Sequence, residues 1–273
     1  MPELPEVEVV RSFLESRIIG KKILKVSTVN EKLRYKVPSN LNLSLQNLII
    51  TKILRRGKYL ILFFKDSKLR LLIHLGMTGY FRLSDELVEK KHDHVIFFLK
   101  KKILIFNDVR KFGFIKTYRD NEIFFSSHLR NMGVEPLSKN FNLKYFNSFR
   151  KRTVDLKGLL MNQSFIAGLG NIYCSEILFD ARLSPLRKIN SLNNLEIRNM
   201  IKSTKKILKR AISSGGTTIK NFIVSEEKIG YFKNKLKVYS RDKKNCLRCV
   251  KGILIKKIRQ SGRSTFFCEK CQK

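Results

Sequence analysis

The sequence predicts an α+β protein with a strand-rich first half, a helical second half and a small metal-bound module at its end. Three observations carry this. Short β-forming runs fill residues 23–118, apolar residues then recur at helical spacing over 156–222, and two Cys-x2-Cys pairs close the chain. At 273 residues the chain is long for one core, and its 43% hydrophobic content, with 20 Phe, supplies enough apolar surface for packed interiors.

The first element is a helix. After Pro2-Glu3-Leu4-Pro5, the apolar residues Val7, Val10, Phe13, Leu14 and Ile18 repeat at helical spacing, with Pro5 and Glu6 suited to a first turn and Gly20 to the stop. The runs 60–64, 69–73, 95–99 and 103–106 read as strands of a sandwich or a barrel. Turn-forming segments lie among them, the first strongly basic: Arg55-Arg56-Gly57-Lys58, Gly76-Met77-Thr78-Gly79 and Asn107-Asp108. A first domain therefore spans 1–120. The polar stretch 121–150, punctuated by Gly133 and Pro136, is expected to connect it to a helical domain at 151–223, in which 172–181 and 195–211 are amphipathic. A terminal segment, 224–273, carries strand-like runs and, from about residue 239, the cysteine module.

Charge narrows the function. Against 57 Lys+Arg stand 22 Asp+Glu, a formal net charge of +35, so a polyanionic partner is expected. Part of the excess is a general lysine bias that accompanies abundant Ile and Asn. The basic residues are spread along the chain instead of forming one amphipathic segment or tail, which favours nucleic acid over an anionic membrane. Three glutamates and two prolines within residues 1–10 do not fit a secretory signal, and no apolar run reaches the roughly 18 residues of a membrane span, so a cytoplasmic location is expected.

The cysteines carry the strongest physical signal. Cys246-x2-Cys249 and Cys268-x2-Cys271, separated by 18 residues, each form a knuckle, and two knuckles supply the tetrahedral four-sulfur shell that zinc prefers. Four ligands leave no open position, so one structural Zn2+ is expected to fold a module and take no part in catalysis. Lys256, Lys257, Arg259 and Arg263 nearby suggest a basic hairpin that touches phosphate. The glycine turn 166–170, running into Asn171-Ile172-Tyr173, can offer free amides to phosphate, a weak signal by itself.

Taken together, these motifs resemble a known family. Pro2-Glu3-Leu4-Pro5-Glu6-Val7-Glu8, Lys58 in its Arg-Arg-Gly-Lys turn, His74-Leu75-Gly76-Met77, Asp108-Val109-Arg110-Lys111-Phe112-Gly113, Gly168-Leu169-Gly170-Asn171 and the terminal cysteines closely resemble the bacterial formamidopyrimidine-DNA glycosylases, in family order and over nearly the whole chain. The resemblance implies an N-terminal β-sandwich with flanking helices, a helix-two-turn-helix domain and a four-cysteine zinc finger. The implied activity is a base-excision-repair glycosylase and AP lyase that removes oxidised purines, acting as a cytoplasmic, nucleoid-associated monomer on double-stranded DNA with oxidised bases or abasic sites.

The same resemblance assigns roles. Pro2, freed by removal of Met1, would be the nucleophile, Glu3 the acid/base group, Lys58 a proton donor near the damaged nucleotide, and Arg263 the arginine of phosphate contact and the last elimination. Met77, Arg110 and Phe112 match the trio that enters the stack where the damaged base leaves. His92, Arg110, Arg152, Lys157 and Asn171 match contacts to the DNA backbone, with His94 an alternative to His92. Glu6 is expected to support the site from behind, and 225–231 to form a base-capping loop. Arg152 stands where a lysine is common, Asn162 where an aspartate is, and Ser240 interrupts a Val-Tyr-Gly-Arg pattern. Two other readings compete: an endonuclease VIII-like enzyme for oxidised pyrimidines, against which Leu4 and the full wedge trio count, and a non-catalytic zinc-finger DNA-binding protein, whose signature would be loss of Pro2, Glu3 or Lys58.

Overall fold

The computed structural model describes residues 2–217 and 232–273. The expected capping loop at 225–231 lies outside the described residues.

The opening helix forms where the apolar repeat places it. Helix α1 spans Leu4–Ile18 with Pro in its first turn, buries Leu4, Val7, Val10, Phe13, Leu14 and Ile18 on one side, and gives way at Gly20, whose φ of 77° suits a residue without a Cβ. The chain continues through β1 (Ile23–Thr28), the short helix α2 (Leu41–Leu45), β2 (Ile50–Arg56), β3 (Tyr59–Phe64), β4 (Leu69–His74), β5 (Tyr80–Ser84), β6 (Asp93–Leu99), β7 (Lys102–Asn107) and β8 (Phe114–Arg119). Among the described residues β1 to β8 pair antiparallel, in two four-stranded sheets ordered β1-β6-β7-β5 and β2-β3-β4-β8. Alternate residues of β3 (Leu60, Leu62 and Phe64) meet Val95, Phe97 and Leu99 of β6 and the apolar side of α1 in a single core. Each sheet keeps two edge strands, which makes the fold a sandwich and not a barrel.

The second core is helical. After α3 (Glu122–Phe125) and α4 (Leu143–Asn147), it is built from α5 (Leu156–Met161), α6 (Asn171–Asp180) and α7 (Asn194–Ser213). Helix α7 starts at a reciprocal cap: Asn193 Oδ1 accepts the Glu196 amide and Glu196 Oε2 accepts the Asn193 amide, both at 2.9 Å. Phe141 and Phe146 are fully buried in this core. The stretch expected as a connection therefore contributes packing from residue 131 onward, because its aromatic residues sit among polar neighbours that mask their role in the sequence. The terminal hairpin, β9 (Lys256–Gln260) and β10 (Arg263–Phe267), packs with Val238, Cys246, Ile255 and Cys268 against Phe179 of α6.

The chain groups into two compact units that do not follow its order: residues 2–130 with 215–217, and residues 131–214 with 232–273. Hydrogen bonds from Thr217 to Glu6 explain why 215–217 join the first unit and not the helical segment before them.

Candidate functional site

In the first unit, Pro2 and Glu3 are buried at the mouth of α1, with Glu3 as its N-cap and only 3% exposed. Glu6 holds this end in place. Its Oε2 accepts the Glu3 amide at 2.9 Å, while Oε1 accepts the amide and hydroxyl of Thr217 at 2.8 and 2.9 Å. Gly216 adopts φ 77°, and a Cβ there would lie 3.0 Å from Glu6 Oε1, so glycine is what lets the backbone approach the carboxylate. Glu6 thus joins residue 3 to residue 217.

Lys58 sits in the β2–β3 turn, where Gly57 has φ 55°. Arg55 fixes that turn: Nε pairs with Glu8 of α1 at 2.7 Å and Nη1 donates to Gly57 O at 3.1 Å. His74, at the end of β4, feels the charge of Lys58, and sequence reasoning gave it no role. Burial first, then the charges of Lys58, Arg34 and His128, push its pKa down to about 4. Its Nδ1 accepts the Gly76 amide at 3.1 Å, which leaves Nε2 as the N–H donor of a neutral ring. The signal was the histidine of the His-Leu-Gly-Met motif itself.

Two loops carry the expected wedge. Met77 is half-buried in the β4–β5 turn, while Arg110 and Phe112 are exposed in the β7–β8 loop, with the Arg110 guanidinium 4.8 Å from the Phe112 ring centroid. Between the loops lies His92, half-exposed with φ 74°, and after it His94, fully buried with its two ring nitrogens facing Asn30 O at 3.2 Å and Asp108 O at 2.9 Å. The left-handed backbone at His92 breaks the strand alternation that would otherwise put both rings on one face. His94 is thereby internal, and His92 is the ring on the surface. Arg82 and Asp93, a buried ion pair, together with Asn107, whose Nδ2 donates to Lys91 O at 3.0 Å, shape the turn that presents His92.

In the second unit, Arg263 is exposed at the head of β10, just after a turn in which Ser261 and Gly262 both have positive φ. The residue behind it is clamped. Ser264 O accepts Asn171 Nδ2 at 2.8 Å and Lys157 Nζ at 3.1 Å, and Lys157 also donates to Thr265 Oγ1 at 2.5 Å. Lys157 is 2% exposed, and burial followed by the charge of Arg263 lowers its pKa. Its ammonium points into the protein, which sequence alone did not foresee for a residue matched to a backbone contact. Arg152 is exposed, with its guanidinium 4.6 Å from the Phe149 ring centroid.

The four cysteines converge with all ligand sulfurs within 4.8 Å of one another. Sulfurs about 2.3 Å from one ion at tetrahedral corners stand about 3.8 Å apart. Cys249–Cys268 and Cys246–Cys271 are separated by 3.8 and 3.9 Å, the spacing of a metal shell and far longer than a disulfide. The donor set fits one structural Zn2+.

Comparison with known proteins agrees along the whole chain. Residues 1–115 match the formamidopyrimidine-DNA glycosylase N-terminal domain, 132–223 the H2TH domain of the same glycosylases, and 243–273 a zinc finger found in FPG and IleRS. The formamidopyrimidine-DNA glycosylase of Rickettsia bellii is 44% identical with full coverage of both chains, and that of Wolbachia pipientis subsp. Culex pipiens is 42% identical with the same coverage. Among solved structures, a Lactococcus lactis FPG variant bound to Fapy-dG DNA superposes with a TM-score of 0.91 at 36% identity over all of both chains. The wild-type Lactococcus lactis FPG bound to DNA with an oxidised pyrimidine gives 0.90 at 36% identity, also over all of both chains.

Proposed function

The chain belongs to the formamidopyrimidine-DNA glycosylase family, and from that premise we propose that it excises oxidised purines from duplex DNA with Pro2 as nucleophile and then cleaves the strand at the resulting abasic site. The observation that carries this reading is the buried Pro2-Glu3 end of α1, held by Glu6.

With Met1 removed, Pro2 presents a secondary amine. An α-amino group titrates near about 8, so a working fraction is neutral at cellular pH. Its lone pair attacks C1′ of the damaged nucleoside, the C1′–N bond to the base breaks, and the base leaves with one proton, matching the one the amine gives up. The C1′–O4′ bond then breaks as O4′ is protonated and the nitrogen lone pair forms the double bond to C1′, Glu3 being suited to deliver a proton to the leaving base or to the opening sugar. The product is an iminium, which makes the C2′ proton acidic. Loss of that proton expels the 3′ phosphate, and a second elimination expels the 5′ phosphate. Lys58 is assigned proton transfer beside the damaged nucleotide, and Arg263 phosphate contact and the last elimination. His92, Arg110, Arg152 and Asn171 are assigned the DNA backbone, and Met77, Arg110 and Phe112 the space vacated by the extruded base. Lys157 joins this set through the hairpin: it holds Ser264 O and so aims Arg263. Bound zinc folds the hairpin module and, with four sulfur ligands, leaves no position for substrate.

The Lactococcus lactis relative solved with an oxidised-pyrimidine DNA gives the broader substrate reading a specific footing. Borohydride trapping separates the two, on duplexes with 8-oxoguanine opposite cytosine and on thymine glycol duplexes. The purine duplex is expected to trap faster, and faster trapping on thymine glycol would reassign the substrate class. An uncleavable N-terminal extension turns the proline nitrogen into an amide and is expected to abolish trapping while DNA binding persists. Trapping at the unextended rate would move the nucleophile elsewhere, with Lys58 the first alternative. Among the described residues no helix is long and apolar enough to cross a membrane. A monomer in the bacterial cytoplasm completes the proposal, and sedimentation of the free enzyme checks the monomer.

A further inference from the structure

Three side chains that enter a base stack together must keep their mutual positions while they displace a base, and exposed residues cannot fix themselves. Met77 leaves the β4–β5 turn, whereas Arg110 and Phe112 leave the β7–β8 loop. At the root of both loops lies Asp108, with 0% exposure, and both of its carboxylate oxygens are occupied. Oδ1 accepts the Thr78 hydroxyl at 2.5 Å and the Arg110 amide at 3.3 Å; Oδ2 accepts the Gly113 amide at 2.7 Å. The Thr78 oxygen in turn accepts the same Arg110 amide at 3.0 Å. One carboxylate therefore reaches the residue after Met77, the amide of Arg110 and the residue after Phe112.

The backbones confirm that the two loops touch. A Cβ on Gly76 would lie 2.3 Å from the Gly113 amide nitrogen, and one on Gly113 would lie 3.0 Å from Asp108 Oδ2. Lys111, with φ 57°, turns the chain so that Arg110 and Phe112 project together. From behind, Asp108 is itself fixed, its amide donating to His92 O at 3.1 Å and its carbonyl facing His94 Nε2.

We infer that Asp108 is a positioning residue that braces the Met77 turn against the Arg110–Phe112 loop, so that the three side chains act on the duplex as one rigid wedge. This rests on the reading above that those three residues form the wedge. The chemistry demands a carboxylate. Its two oxygens both accept, from Thr78 and Arg110 on one side and from Gly113 on the other. An amide has one oxygen and one NH2, so whichever way Asn is turned, a donor faces a donor on one side.

The test is Asp108→Asn, measured for excision of 8-oxoguanine opposite cytosine and for cleavage of a preformed abasic site. A buried donor left without an acceptor is worth about a tenfold change in the step that needs the wedge. Excision is expected to fall by that factor, with abasic cleavage changed far less because no base has to be extruded. The fluorescence of 2-aminopurine placed beside the lesion, which reports unstacking, is expected to rise more slowly in the variant. Thr78→Val removes the hydroxyl and should give the same selective loss at smaller size, Thr78→Ser should restore it, and these two carry the test if Asp108→Asn does not fold. Arg110→Ala is the control on the wedge itself. If Arg110→Ala loses excision selectively and folded Asp108→Asn does not, or loses both activities equally, the brace is overturned. If Arg110→Ala shows no selectivity, the wedge reading fails and the brace falls with it.

Discussion

On the sandwich, the loops of Met77, Arg110 and Phe112 converge on the single carboxylate of Asp108. On the zinc hairpin the shared acceptor is a backbone carbonyl and the side chains are the donors: Arg263 follows a turn whose next carbonyl, Ser264 O, is approached by two donors, Lys157 Nζ and Asn171 Nδ2. The first region depends on one side-chain acceptor that every donor shares, the second on two side-chain donors that back each other up on one backbone carbonyl, with a strand ladder and a metal shell in addition. In a chain with 57 basic and 22 acidic residues, this difference matters. A buried carboxylate satisfies backbone amides without drawing a surface cation away from DNA, and a buried lysine serves as a brace only where carbonyls replace the water it loses. The sandwich loops should accordingly fail at one point, and the hairpin in stages.

The largest effect tests the last of those stages. Cys249→Ser removes one of four ligands from a module of about thirty residues that has too small a core to fold without metal. Zinc release and loss of DNA binding are expected, followed by metal analysis and a binding titration. Active, zinc-free protein would show that the hairpin stands on its ladder alone.

Lys157→Met probes the donors at nearly constant length. Ser264 O keeps Asn171, but Thr265 Oγ1 loses its lysine partner, so a destabilisation of about 1–3 kcal/mol is expected in denaturant titration. Borohydride trapping should persist while the final elimination slows, because only the aim of Arg263 changes. Trapping lost in step with elimination would mean that the hairpin is held at a single point after all.

Acid distinguishes the regions further. His74 belongs to the sandwich, and its folded pKa of about 4 lies below the ordinary 6.5. Between those values the unfolded chain binds a proton that the folded chain refuses, so stability falls as pH falls through this window, by at most about 1.4 kcal/mol per pH unit. His74→Gln should flatten that slope in melting experiments. Part of it will remain through His128, whose pKa is lowered by burial and by Lys116 and Arg34.

The smallest effect concerns the exposed end of the hairpin. Arg263→Ala should reduce the slope of log K against log salt for non-specific duplex binding by about one, the contribution of one phosphate contact. An unchanged slope would remove Arg263 from the phosphate.

The sequence was most legible where chemistry is local. The repeat from Val7 to Ile18 gives α1, short runs of β-branched, aliphatic and aromatic residues give the strands at 60–64 and 95–99, and cysteine spacing gives the zinc shell, because each depends on residues a few positions apart. The motif order carried the family for the same reason. Phe141 and Phe146 were hidden, since two aromatics in polar text show no period, and Glu6 gave no hint that its partner was Thr217. Direction was the tertiary structure's to decide. His92 and His94 are two positions apart in a strand-like run, yet one positive φ turns the first outward and leaves the second fully buried. Lys157 is a cation in a basic chain, yet its ammonium faces inward because Ser264 O and Thr265 Oγ1, more than a hundred residues later, replace the water it gives up. A side chain's type is fixed by the sequence, but whether it meets solvent or a partner depends on what the fold brings beside it, and burial of a charge is tolerated only when that partner arrives.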